Sequence, residues 1–230
     1  MCEKFIRMTT VLGITLSLTS LSATARHVES WVYQVKITNI TKGTDLSQGL
    51  VLTPILLVAH SSGTHLFELG EPASKELAML AEGGDTAPMT ALMEETPGVQ
   101  HIETTGGPLL PGASVEVDIP YTGRRTVLST ASMLLPTNDG FVSLDGVKLP
   151  FYQRQSTTYY ASVYDAGSEI NDELCASIPG PHCAGEGFAE ADGEGKVHVH
   201  SGLHGVGDLA PAAYDWNNPV IKVTIQLIRK

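Results

Sequence analysis

Apolar and polar side chains alternate along several stretches of the chain, most clearly near its two ends. In Trp31-Val32-Tyr33-Gln34-Val35-Lys36-Ile37-Thr38-Asn39 the spacing puts Trp31, Tyr33, Val35 and Ile37 on one face of a half-buried strand, because successive strand residues point to opposite faces. Residues 220–228 repeat the pattern with Ile221, Val223, Ile225 and Leu227 inward. In 113–119, Val115, Val117 and Ile119 alternate with Ser114, Glu116 and Asp118, as where one face of an antiparallel sheet is wet. Further strands are predicted at 126–134, 140–144 and 159–163. Another spans 50–60, where Pro54 marks an edge or a bulge because it has no N–H to give to a ladder. A helical period is clear once, over 71–82. Pro72 stands at a favourable first position, Leu77, Met79 and Leu80 are apolar, and Gly83-Gly84 stops the helix. A second short helix is predicted near 86–93, with Met79, Met89 and Met93 as packing residues. The Gly-Gly-Pro-Leu-Leu-Pro-Gly of 106–112 is a loop. Many strands, short turns and one helical insertion predict a mainly β fold: an antiparallel β-sandwich with the short helical insertion as a lid over one end.

The first 25 residues differ in kind. Lys4 and Arg7 precede a mostly apolar and hydroxylated run over 8–21, and Ala23-Thr24-Ala25 has the form of a signal-peptidase site. Residues 1–25 therefore read as a cleaved secretory signal and 26–230 as the mature domain. The run is too short for a good membrane span, and Cys2 lies before it, too early for lipid attachment. The expected location is secreted or periplasmic. Glu3, Lys4 and Arg7 together carry one positive charge, so their loss moves the formal net charge from −11 to −12. A domain this acidic is poorly matched to nucleic acid or an anionic membrane, both polyanions, and well matched to a cation. Of three cysteines, Cys175 and Cys183 remain, and in an oxidising compartment they are expected to pair. The bridge closes a short loop around Pro179-Gly180-Pro181 with no evident core of its own; a metal site with His182 is the alternative.

Two compact acidic turns flank the span 143–163. Pro136-Thr137-Asn138-Asp139-Gly140-Phe141-Val142-Ser143 runs from a Gly-bearing turn into a strand, and Tyr164-Asp165-Ala166-Gly167-Ser168-Glu169 leaves one. Short carboxylates on such turns suit a hard cation, since Ca²⁺ takes several oxygens in irregular geometry. They equally suit Asx-turns in which Asp139 and Asp165 bond only their own backbone. Together the two turns resemble the spondin N-terminal domain family, whose familiar forms carry Ser-Pro-Asp-Trp-Phe-Val-Gly and Tyr-Asp-Ala-Gly-Thr-Asp. The resemblance extends over residues 31–230 and takes in Thr53-Pro54 with His60-Ser61, and the run 66–74. It implies a C2-like antiparallel β-sandwich and calcium held by aspartates at the turns. Carried over by position, these are Asp139 and Asp165, with Glu169 as a longer third candidate where Asp is usual. The chain also differs at Gly140, where Trp is usual. Asp172, just outside the motif, is expected to leave calcium binding untouched.

The second constellation is Lys196-Val197-His198-Val199-His200-Ser201-Gly202-Leu203-His204. On a strand His198 and His200 share a face, and His204 returns across the turn at Ser201-Gly202. Three imidazoles suit Zn²⁺ or Cu²⁺, and a His-x-His also opens the first motif of a cupin, which makes a transition-metal enzyme the rival reading. A cupin needs a carboxylate a few residues on and a second Gly-rich motif with another His. Here His204 stands where the carboxylate should be, and no second motif follows. The plainer reading is polar residues on the outer face of a strand, since no carboxylate or cysteine partner is fixed by spacing. Bacterial forms of the spondin family are similar in having His-x-His followed by Gly-x-Gly-Asp, here Gly205-Val206-Gly207-Asp208. Ser129 and Ser132 lie in an apolar strand with no spacing to a His-Asp pair, and there is no nucleophile elbow. The sequence thus reads as a secreted, non-enzymatic calcium-binding sandwich with a binding or adhesion role toward an extracellular protein or glycan. It points to no nucleic-acid partner and no membrane span in the mature chain.

Overall fold

The computed structural model describes residues 30–45, 48–189 and 193–229; the expected signal segment, 1–25, lies outside them. Strand β1 (Trp31–Asn39) is followed by a small hairpin of β2 (Gly43–Asp45) and β3 (Gln48–Gly49). Next come β4 (Val51–Leu52) and β5 (Leu56–Ser61), on either side of Pro54. Helices α1 (Lys75–Gly83) and α2 (Ala87–Glu95) precede β6 (Val99–Thr104), β7 (Ser114–Pro120), β8 (Thr126–Leu135), β9 (Gly140–Lys148) and β10 (Ser156–Asp165). The described residues between β10 and β11 contain no helix or strand; β11 (His198–Val199), the short helix α3 (Pro211–Tyr214) and β12 (Ile221–Arg229) follow. No described helix is long and apolar enough to cross a membrane.

The strands form one antiparallel path in the order β6-β5-β8-β9-β10-β12-β1-β7, with β4 attached to β8 and β11 to β10. The alternating runs from the two ends of the chain become neighbours, Trp31 opposite Arg229 through Asn39 opposite Ile221. β7 covers the other edge of β1. β10 joins the two halves: residues 156–161 pair with β12 and 162–165 with β9. The sheet therefore turns over at β10 and closes part of the way toward a barrel. The mainly antiparallel β class is as expected, but the strands belong to one hydrogen-bonded path rather than to two sheets that stand apart. The reason is the length of β10, which exceeds the predicted 159–163 at both ends and so finds a partner in each half.

Tyr33, Val35 and Ile37 of β1 and Val223, Ile225 and Leu227 of β12 meet Leu57, Leu128, Leu134, Val142 and Val163 of the other half in the main core. Trp31, expected beside them, stays at the rim with 36 % of its surface exposed. β5, β8 and β9 have a second buried face, where Leu56, Val58, Ala131 and Phe141 pack against Leu77, Leu80 and Ala81 of α1 and Met89 and Met93 of α2. The helices thus cover a face of the sheet. Met79 is only half-buried and takes no part in that cluster. Burial on both faces leaves every residue of β8 buried and explains why its hydroxyls are matched. Thr130 accepts the Leu144 N–H at 3.2 Å, and Ser132 donates to the Thr53 carbonyl at 2.9 Å.

Helix α1 starts later than its pattern suggests. Ser74 is the N-cap, its hydroxyl accepting the Leu77 N–H at 3.1 Å. Glu71 is held out of the helix because its carbonyl accepts the Val197 N–H, while the Gly70 N–H donates to the Val197 carbonyl, both at 2.8 Å. The stop is where expected, with Gly84 left-handed at φ 68°.

Phe141 is the central side chain of the second layer, fully buried with its ring centroid 5.1 Å from that of Phe67 and 5.7 Å from that of Tyr164. Phe141→Ala is expected to cost about 3–5 kcal/mol in urea unfolding. Tyr152→Ala, at a side chain 69 % exposed, is expected to shift stability by about 0.5 kcal/mol or less. Equal unfolding midpoints for the two variants would mean that sheet and helices do not share a core.

Candidate metal centre

Asp139 ends the turn before β9 and Asp165 ends β10, so the pairing of Asp165 with Gly140 sets the two aspartates side by side. The turn is held by Thr137, whose hydroxyl donates to the Leu134 carbonyl at 2.6 Å and accepts the Gly140 N–H at 3.0 Å. A Cβ on residue 140 would come within 2.5 Å of that hydroxyl, so this turn requires glycine. On its other edge Asp165 pairs with His198. Just past β10, Gly167 at φ 64° turns its N–H onto Asp165 Oδ1 at 2.8 Å. The Gly195 N–H donates to the Gly167 carbonyl at 2.8 Å, and this bond brings in Glu194. Carboxylate oxygens of Asp139, Asp165 and Glu194 all lie within 4.8 Å of one another. Both aspartates are buried and Glu194 is exposed.

Asp139 Oδ2 accepts the N–H groups of Ser168 at 2.8 Å and Glu169 at 3.1 Å. Its Oδ1 is buried and has no hydrogen-bond partner. Asp165 Oδ2 accepts from Asn171 Nδ2 at 2.7 Å, and the same amide donates to Glu194 Oε1 at 3.1 Å. Asp165 therefore does make an Asx-type bond, but the turns leave one buried oxygen of Asp139 unused. Burial and then the charge of Asp165 push the Asp139 carboxyl up to about 7, against the two backbone N–H groups. Oxygens bound at about 2.3–2.6 Å to one calcium ion stand at most about 5 Å apart. The spacing and the all-oxygen donor set therefore fit calcium.

Glu169 is placed differently. Its backbone N–H serves Asp139, while its carboxylate lines a separate cavity with Glu82. Asp172, expected to stand apart, is a brace: it accepts from Asn138 Nδ2 at 3.0 Å, the Leu174 N–H at 2.9 Å and the Ser177 hydroxyl at 3.0 Å. Burial opposes its charge, but these bonds hold its carboxyl below the ordinary value. Asn138 precedes Asp139, so Asp172 helps fix the first turn. Buried Glu173 accepts the N–H groups of His204 and Val206 and so anchors the His-rich segment. The Cys175–Cys183 disulfide is formed. Its loop does have a small core, Ile178 with Leu203 and Leu209, hidden in the sequence by the surrounding Gly and Pro.

The three histidines do not assemble into a site of their own among the described residues. His200 is buried against Trp216, ring centroids 4.9 Å apart. The Gly202 N–H donates to its Nδ1 at 3.0 Å, which puts the imidazole proton on Nε2, 4.0 Å from Asp165 Oδ2. That nitrogen is then a donor and not a metal ligand. Burial, opposed by the charge of Asp165, lowers the His200 imidazole below its usual value. His198 Nδ1 lies 3.7 Å from Asp165 Oδ1, and the His204 side chain is exposed. Ser129, for which spacing offered no histidine, lies with its Oγ 2.7 Å from His60 Nε2, and that hydroxyl also donates to Asp145 at 3.1 Å. The carboxylate meets the serine instead of the far imidazole nitrogen, which faces the Ser61 carbonyl. Ser129 and His60 are also fully buried. This is a polar tie across β5, β8 and β9, not the geometry of an activated serine.

In the metal-free protein the raised Asp139 carboxyl has a signed effect on stability. Between its ordinary value of 3.8 and about 7 the folded state keeps a proton that the unfolded chain has lost, so this group's contribution falls as pH rises through that window. In chelator, Asp139→Asn is expected to gain stability relative to the unmodified chain as pH rises from 3.8 to about 7. A constant difference across that range in paired thermal melts would contradict the assignment.

Among curated proteins none matches this chain. The family model described as Spondin_N matches residues 47–172, more than half of the 230 residues, and its span contains β3 through β10. With both aspartate turns inside the matched span, the chain belongs to the spondin N-terminal domain family.

Proposed function

We propose that this protein is exported and works at the cell exterior as a calcium-binding, C2-like β-sandwich module, without catalysis. Its role in this reading is to bind or adhere to an extracellular protein or glycan. The observation that carries the reading is the buried Asp139 Oδ1, which has no hydrogen-bond partner and belongs to a group of three carboxylates within 4.8 Å. A buried anionic oxygen among like charges is costly unless a cation meets it. Bound there, calcium would supply that charge and draw on Asp139, Asp165 and Glu194. It would thereby join the start of β9, the end of β10 and the segment before β11. Family membership supports the extracellular setting, as do the Cys175–Cys183 bridge and the secretory form of residues 1–25. The net charge of −11 argues against a nucleic-acid partner. A main core filled from both halves of the sheet supports the two-layer description. The rival reading, a transition-metal enzyme on His198, His200 and His204, is weaker: His200 Nε2 is also buried without a partner, but the Gly202 N–H on Nδ1 favours the tautomer that protonates it, and the three imidazoles do not converge among the described residues.

Calcium at a hundredfold excess over its Kd is expected to stabilise the chain by about 2.7 kcal/mol, which raises Tm by roughly 5–10 °C for a domain of this size. Asp165→Asn is expected to remove the part of the rise that this centre supplies, and Asp172→Ala to reduce it by loosening Asn138. Thermal melts in calcium and in chelator decide the matter, and superimposed curves for the unmodified chain would refute the reading.

A further inference from the structure

A second acidic cavity adjoins the aspartate centre through Glu169. Glu82, in the last turn of α1, and Glu169 line it together with Ser177 and the exposed Glu186, around a volume of about 280 Å³. Glu82 is 2 % and Glu169 9 % exposed. Their hydrogen bonding is incomplete. Glu82 Oε2 accepts the Ala189 N–H at 3.1 Å, but Glu82 Oε1 and Glu169 Oε2 are buried without a hydrogen-bond partner.

The hydrogen bonds that favour charge here, from Ala189 and Ser168 to Glu82 and from Asn138 to Glu169, are outweighed by burial and like charge. The last turn of α1 has no basic residue, and Glu82 sits at the negative end of the helix dipole. Among the described residues the lining contains no lysine, arginine or histidine. Glu82 and Glu169 are close enough for the charge of each to weigh on the other. Two remedies exist for such a pair: protons or a cation. The size of the cavity separates them, because a proton-sharing pair needs no space between its members. A volume of about 280 Å³ compares with about 30 Å³ for one water, so an ion and several of its waters fit. The donors are all oxygen, which selects hard ions.

We infer that this cavity is a second divalent-cation site, with Glu82 and Glu169 as direct ligands, Glu186 at its rim and water in the remaining positions. Its carboxylates do not close to the spacing of Asp139, Asp165 and Glu194, so the ion keeps part of its water shell. Glu169 serves both centres, giving its N–H to Asp139 and its carboxylate to this cavity.

The test is a count of ions, made by equilibrium dialysis against calcium alone with elemental analysis, on the full mature chain. Two ions per chain are expected. Asp165→Asn is expected to keep one, held by the Glu82 cavity, and Glu82→Gln to keep the other while weakening the second binding step by tenfold or more. One ion on the unmodified chain that Asp165→Asn abolishes would overturn the second site and leave the aspartate centre standing. One ion that Asp165→Asn retains and Glu82→Gln removes would support the second site and sink the first. Two ions still bound by Glu82→Gln would overturn the assignment to this cavity. Should Glu82→Gln fail to fold, the counts on the unmodified chain and on Asp165→Asn decide alone.

Discussion

Asp139 and Asp165 are buried next to each other by the ladder itself, because Gly140 and Asp165 are paired residues of β9 and β10. The ladder and the Ala166 N–H on the Asp139 carbonyl hold the two backbones together, and the surrounding chain is arranged to meet the charge. Ser168, Glu169 and Gly167 give backbone N–H groups, and Asn171 gives its side-chain amide. Asn138 and Asp172 lock the turn from behind. These donors order a segment that has little apolar side-chain material of its own. Polar satisfaction shapes the turn that follows β10, and of the oxygens of this aspartate pair it leaves Asp139 Oδ1 without a partner.

How much of this was legible depended on whether the cause was local. β1 and β12 could be read from alternation because each has one core face and one wetter face, visible in the sequence as a period of two. β10 was read too short: Ser156 and Thr157 owe their strand conformation to Gln226 and Ile225, partners that no local window contains. β6 went unread because Gln100, His101 and Glu103 make an edge strand look like a loop. Pro72 misplaced the start of α1, since the bonds between Gly70, Glu71 and Val197 outrank a favourable first residue.

The site divides in the same way. Asp139 and Asp165 announce themselves as carboxylates on Gly-bearing turns. Glu194 has that form too, between Gly193 and Gly195, but only the Gly195–Gly167 bond makes it a neighbour. Asp172 looked idle because its partners, Asn138 and Ser177, lie on both sides of it in the chain. The three histidines misled for the opposite reason. Their spacing suggests convergence, while the Gly202 N–H on His200 and the exposure of His204 separate their roles.

The division of β10 between two partners also bears on the order in which the sheet can assemble. β8, β9 and β10 are consecutive in the chain and adjacent in the sheet, so their pairing needs only short loops to close. The ladder between β1 and β12 joins the two ends of the described chain, and closing so large a loop is slow when nothing local prepares it. With β10 already fixed against β9 through residues 162–165, its first half presents an open edge on which β12 can grow and to which β1 can then add. A single strand shared by both halves turns a long-range search into the extension of a finished edge.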